Sequence, residues 1–81
     1  MPTKSASYAY APPLLALGAA IRRARIGASI SQEALAHEAG LDRSYMGGIE
    51  RGEQNLALIN LVKIAGGLGI SASALLASAG L

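Results

Sequence analysis

The chain contains no cysteine, which excludes a disulfide framework and any thiolate metal site. That absence suits a reducing, cytoplasmic setting. Histidine and aspartate occur once each, as His37 and Asp42. No second metal ligand keeps His37 company, so it reads as a solvated residue on the outer part of a helix. With the aspartate best used as a helix cap and no glycine-rich loop after a strand, no nucleophile–base–orienter set can be assembled. Neither an enzyme nor a cofactor or metal is expected. There is no strand signal and no repeat at solenoid scale. Charge is missing from Ile64 to Leu81, a run of about the minimum length for a membrane span. Gly66, Gly67 and Gly69 interrupt that run, Ser71, Ser73 and Ser78 dilute it, and no basic anchor follows it. It therefore reads as helix-bundle core, with no membrane partner. A signal peptide is not expected either. Lys4 is followed by Pro12-Pro13, and Arg22-Arg23 come soon after a short apolar run.

What is present is enough for one small domain. The chain has 81 residues, and a chain of that size buries only about 60–65% of its unfolded surface, so its core alone is marginal. Of the residues, 52% are hydrophobic, and alanine supplies much of that share. The net charge of +2 and pI of about 9.4 are too mild to establish a nucleic-acid partner by themselves. The arrangement says more. Arg22, Arg23, Arg25, Arg43 and Arg51 all fall in the first expected helix or in the stretch from Ser31 to Gly52.

That stretch, SQEALAHEAGLDRSYMGGIERG, organises the chain. Ser31 is a good N-cap for a helix over Gln32 to Ala39. Gly40 takes the sharp turn, because glycine enters the left-handed region at little cost. Asp42 caps a second helix, Arg43 to Arg51, stopped by Gly52. Ile30-Ser31 is followed by Leu35, and Leu41-Asp42 by Met46, each a hydrophobic staple around a cap. Leu35, Ala39, Leu41, Met46 and Ile49 are expected to face inward, with Ala36 small where the helices approach. Two stapled helices joined by a glycine turn describe a helix-turn-helix.

Upstream, residues 1–12 read as a flexible arm, in which Tyr8 and Tyr10 could dock on the domain or touch a ligand. Residues 13–81 form the domain. Pro12-Pro13 opens helix 1, and Leu14, Leu17, Gly18 and Ile21 give it one buried face before Gly27 ends it. Downstream, helix 4 starts near Leu56 to Leu58 and runs to about Leu68, with apolar positions Leu58, Ile59, Leu61, Val62, Ala65 and Leu68. Ala57 cannot cap it, so Asn55 is the candidate cap. Gly66-Gly67 weakens this helix by roughly 1 kcal/mol per glycine and would permit a close helix contact. Ile70-Ser71 and Leu75 repeat the staple at the start of a fifth helix, Ala72 to about Ala79. The fold class is all-α, a compact five-helix domain.

From Leu17 to Leu76 the spacing of Gln, Leu-Ala, Gly, Ile-Glu and Gly resembles the Cro/repressor-type helix-turn-helix family, the xenobiotic-response-element-type regulators. The segment LDRSYMGGIERGEQN is similar to the small controller proteins of bacterial restriction–modification systems. The resemblance implies a lambda-repressor-like fold and a sequence-specific transcriptional regulator. It implies a homodimer on a palindromic operator in double-stranded DNA, with RNA polymerase as a further candidate partner. Arg43 and Ser44 would enter the major groove first, and an Arg there can bond guanine O6 and N7 together. A cation at a helix start is unfavourable to the dipole, so stability alone does not explain Arg43. The backbone contacts implied are Gln32, Tyr45, Arg51, Gln54 and Asn55. Tyr45 could stack on sugar–phosphate or pack on the domain, and Asn55 could contact phosphate or cap helix 4.

Gly47-Gly48 would let the recognition helix lie deep in the groove, or else relieve crowding against helix 4. Readout is then concentrated at the helix start, which favours a contribution from DNA shape. The family pattern pairs Arg25 with Glu50, a structural ion pair between helix 1 and the recognition helix. The sequence departs from the pattern at Ala57, where Ser or Thr is common, and at Gln54, where similar controllers often have Arg. Leu68, Ile70, Leu75, Leu76 and Leu81 are the candidate dimer residues. Within DNA binding, the alternatives are a prophage-type repressor or an antitoxin. From another class, the alternative is a helical protein-interaction module without DNA affinity.

Overall fold

In the computed structural model of the chain, residues 8–81 are described. They form five helices: α1 (Pro12–Gly27), α2 (Gln32–Ala39), α3 (Arg43–Glu50), α4 (Leu58–Leu68) and α5 (Ala72–Ser78). Most ends follow from local chemistry. Prolines occupy the first positions of α1, where a missing N–H costs nothing. Ser31 Oγ accepts from the Ala34 amide at 3.0 Å, Asp42 Oδ2 from Tyr45 at 3.2 Å and Ser71 Oγ from Ala74 at 3.0 Å. Each bond satisfies one amide that the first helical turn leaves without a partner. Gly40 closes α2 in the left-handed region at φ 69°, and the Leu41 amide reaches back to the Ala36 carbonyl at 2.8 Å. That reversal sets α3 against α2.

Two ends differ from the sequence expectation. α3 stops at Glu50, with Arg51 as its C-cap and Gly52 taking φ 78°. At α4 the N-cap is Ala57 and not Asn55, and its side chain makes no cap bond.

The core is built from Leu17, Ala20, Ile21, Leu35, Ala36, Ala39, Met46, Ile49, Leu61, Ile64, Ala65 and Leu75. Burying each of the large side chains contributes about 1.5–3 kcal/mol. α1 packs on α3, α2 on α3 and α4, and α5 closes the bundle against α1 and α4. Small residues decide the closest approaches. A Cβ at Gly18 would run into the carbonyl oxygens of Ile49 and Glu50, so α1 lies directly on the end of α3. A Cβ at Gly67 would stand 2.9 Å from Leu35 Cδ1, so α4 meets α2 there, whereas Gly66 faces open space.

Leu75 is fully buried in this core. Its side chain is occupied within the monomer and leaves the set of dimer candidates. The N-terminal half of α4 corrects in the opposite direction. Leu58, Ile59 and Val62 are 73%, 61% and 48% exposed, because the face turned to α2 is the one carrying Leu61, Ile64 and Ala65.

Among the described residues no single helix is long and apolar enough to cross a membrane, and the two apolar helices α4 and α5 meet at 90°. Ahead of α1, residues 8–10 form a turn, and the Tyr10 amide donates to the Gly52 carbonyl at 2.7 Å. The first seven positions of the expected arm lie outside the described residues.

Candidate nucleic-acid interface

The second half of α3, the start of α2 and the last turns of α1 converge, and Arg43 stands at the other end of α3. Arg43 is exposed at the first position of α3, and Ser44 beside it is half-buried. Asp42 spends its carboxylate on the helix cap, and Arg43 follows it as an exposed residue at that helix end.

Arg25 and Glu50 are brought together, and their geometry is specific. Arg25 Nε donates to Glu50 Oε2 at 2.8 Å and Nη2 to Oε1 at 3.1 Å, while Nη1 donates to the Ile30 carbonyl at 3.1 Å. Side-chain exposures of 14% and 4% place this pair largely out of water. The hydrogen bonds it donates to Glu50 raise the Arg25 pKa above the ordinary guanidinium value, and burial opposes the rise. The arginine therefore stays charged at any pH near neutral. The pair joins α1 to the end of α3 and ties in the loop before α2.

Gln32 belongs to the same network. Its Nε2 donates to Glu50 Oε1 at 3.2 Å, which fixes the amide group at the start of α2. Arg22, Arg25, Gln32, Gly47, Glu50 and Arg51 together line a shallow depression of about 190 Å³. With Glu53, the partner of Arg51, included, three guanidinium groups against two carboxylates leave it net positive, and its lining is rich in N–H donors. Arg22 is the member that sequence reasoning left aside. Its spacing of three residues from Arg25 was the available signal, since i and i+3 share a helix face.

Arg51 is paired as well. Its Nε and Nη2 donate to Glu53 Oε2 and Oε1 at 2.7 and 3.2 Å. These bonds raise its pKa, though the side chain is 56% exposed and water screens the attraction. No helical spacing links residues 51 and 53, so this pair was not visible beforehand. Tyr45 packs against the core, and its hydroxyl accepts from Asn60 Nδ2 at 3.2 Å. The packing alternative is the one this structure contains, with Asn60 as an unforeseen partner.

Gln54 is 7% exposed. A Cβ at Gly48 would stand 3.2 Å from Gln54 Cγ, and a Cβ at Gly47 would stand 3.0 Å from Arg51 Nη1 and 3.4 Å from Gln32 Oε1. The two glycines of α3 thus make room for Gln54, Arg51 and Gln32, and the crowding they relieve is not against α4. Asn55 is exposed just beyond. His37 is exposed on α2, and among the described residues no group of acidic or histidine side chains could hold a metal ion.

Comparison with known proteins places this geometry among relatives. The sequence pattern of the helix-turn-helix family matches residues 21–75. Control protein C.MunI from Mycoplasma sp. is 50% identical over 46 residues, which are 57% of this chain and 62% of that protein. Control protein C.BamHI from Bacillus amyloliquefaciens is 43% identical over 63 residues, covering 76% of this chain and 78% of that one. Among solved structures, the restriction-modification controller protein C.AhdI from Aeromonas hydrophila superposes with a TM-score of 0.75 at 45% identity. That match covers 76% of this chain and 94% of C.AhdI.

Proposed function

Since the chain belongs to the helix-turn-helix family, we propose that it is a sequence-specific transcriptional regulator of the restriction–modification controller type, binding double-stranded DNA as a homodimer. One observation carries the reading. Arg43 stands exposed at the start of α3, and the net-positive depression lined by Gln32, Arg22, Arg25 and Arg51 flanks the same helix. A guanidinium aimed at a base edge beside an anion-attracting surface is the division of labour that duplex recognition needs. In this reading Arg43 and Ser44 meet the major groove. Gln32, held by Glu50, meets a phosphate through its second amide hydrogen, with Asn55 reaching the backbone on the other side.

A homodimer would place two recognition helices about one turn of DNA apart on a palindromic operator. Leu58, Ile59 and Val62 fall at i, i+1 and i+4 of α4 and are exposed. They join Leu68, Ile70, Leu76 and Leu81 as the surface offered to a second copy. The cytoplasm is the compartment in which such a regulator meets its DNA.

The test is binding to the protein's own upstream DNA, wild type against Arg43→Ala, at two salt concentrations. Wild type is expected to bind tightly and to weaken as salt rises. Arg43→Ala should lose about 1–3 kcal/mol on this fragment and little on random DNA. A protein that binds no DNA even at low salt would be an interaction module instead.

A further inference from the structure

Gly47 lies at the centre of the face of α3 that carries Arg43 and Ser44, four residues beyond Arg43. A recognition helix without a side chain there would leave the middle of its contact surface empty. The structure fills that space from elsewhere. Arg51 is four residues further on, so it shares this face, and helical side chains lean toward the N-terminus. Its guanidinium accordingly lies back over Gly47, with Nη1 at 3.0 Å from the point where a Cβ would stand. Glu53 holds it there through Nε and Nη2. Nη1 and the remaining hydrogen of Nη2 are not used by Glu53, and two donors on one edge have the spacing that matches guanine O6 and N7.

We propose that Arg51 is a second base-reading residue, seated over Gly47 and oriented by Glu53, and that it recognises a guanine distinct from the one met by Arg43. This rests on the regulator reading above. A role limited to the phosphate backbone fits the site less well. Phosphate binding draws on net charge, and Glu53 cancels the charge of Arg51 at hydrogen-bond distance. Base reading draws on the direction of the donors, which a carboxylate clamp improves. Position 47 is about 6 Å along the helix axis from position 43, a distance of about two base-pair steps, so the two arginines address different base pairs. Glu53 touches no base and is a positioning residue. A methyl group at 47 would press on the seat of the guanidinium and shift it by a few tenths of an ångström.

The experiment is selection from a randomised duplex library with wild type, Arg51→Gln and Glu53→Gln, each checked for an unchanged thermal unfolding curve. Wild type is expected to select half-sites with two guanine-preferring positions. Arg51→Gln should lose roughly tenfold or more of the preference at one of them, with adenine gaining there because glutamine matches adenine N6 and N7. Glu53→Gln should flatten the same position while binding to random DNA tightens. An unchanged base profile with uniformly weaker binding by Arg51→Gln would overturn the proposal and return Arg51 to the backbone. A wild type that selects no sequence would overturn the regulator reading itself, and this inference with it.

Discussion

Glu50 is acidic beside the surface proposed to meet phosphates, and its partners explain why it is tolerated. Both of its oxygens are occupied by Arg25, and one also receives Gln32. The carboxylate is thereby neutralised, buried and used to orient Gln32. Removing one member of a buried pair strands the other, which costs about 3 kcal/mol or more. Arg25→Met and Glu50→Leu are each expected to show that loss in urea unfolding. The double substitution should cost clearly less than the two single costs added together. Simple additivity in that cycle would mean that the pair is not a coupled unit. Glu50→Leu should also weaken DNA binding where Arg25→Met does so less, because only the former releases Gln32. The Arg25–Glu50 pairing was legible in the sequence through the family pattern. The clamp of Arg51 by Glu53 was not, since it forms beyond the end of a helix, where no periodic spacing applies.

Among the helices, the informative contrast is between capped and uncapped starts. α2, α3 and α5 begin with a side chain that accepts an amide, and α4 begins with Ala57, which does not. Ala57 already has extended dihedrals of φ −66° and ψ 146°, the conformation a capping serine adopts. Ala57→Ser should therefore stabilise the fold by about 0.5–1 kcal/mol, read as a higher midpoint in thermal or urea unfolding with no change in DNA affinity. An unchanged midpoint would mean that the start of α4 is already satisfied by other groups. Element positions were largely legible because caps, glycine turns and staples act over four or five residues. The face that each helix presents was less so. On α4, apolar residues occupy most positions, and a pattern that is apolar nearly all round does not say which stripe will be buried.

For the molecule as a whole, exposed apolar surface bears on assembly. Stable interfaces bury about 800 Å² per partner, and the described chain exposes 4540 Å² in all. A dimer would thus cover a substantial part of one side. Leu58 and Ile59 are the most exposed large aliphatic side chains of α4, so changing them does not disturb the monomer core. The variant carrying Leu58→Glu with Ile59→Glu is expected to keep its helical circular dichroism and to sediment as a monomer at tens of micromolar. It should also lose the advantage of a palindromic site over a half-site. A variant that remains dimeric would move the interface away from this end of α4.

Short-range chemistry determined, from the sequence by itself, the five helices, the turn at Gly40 and the prominence of Arg43. Those features depend on residues within a turn or two of one another. The tertiary structure alone decided that Leu75 belongs to the core and Leu58 to the surface. It also decided that Gln54 is buried beside Gly48, and that the Arg51 guanidinium lies over Gly47. The physical reason is the same in each case. These outcomes depend on which helix faces meet and on what space a missing Cβ leaves, and neither is settled until α1 and α2 have closed on α3 and α4 has closed on α2.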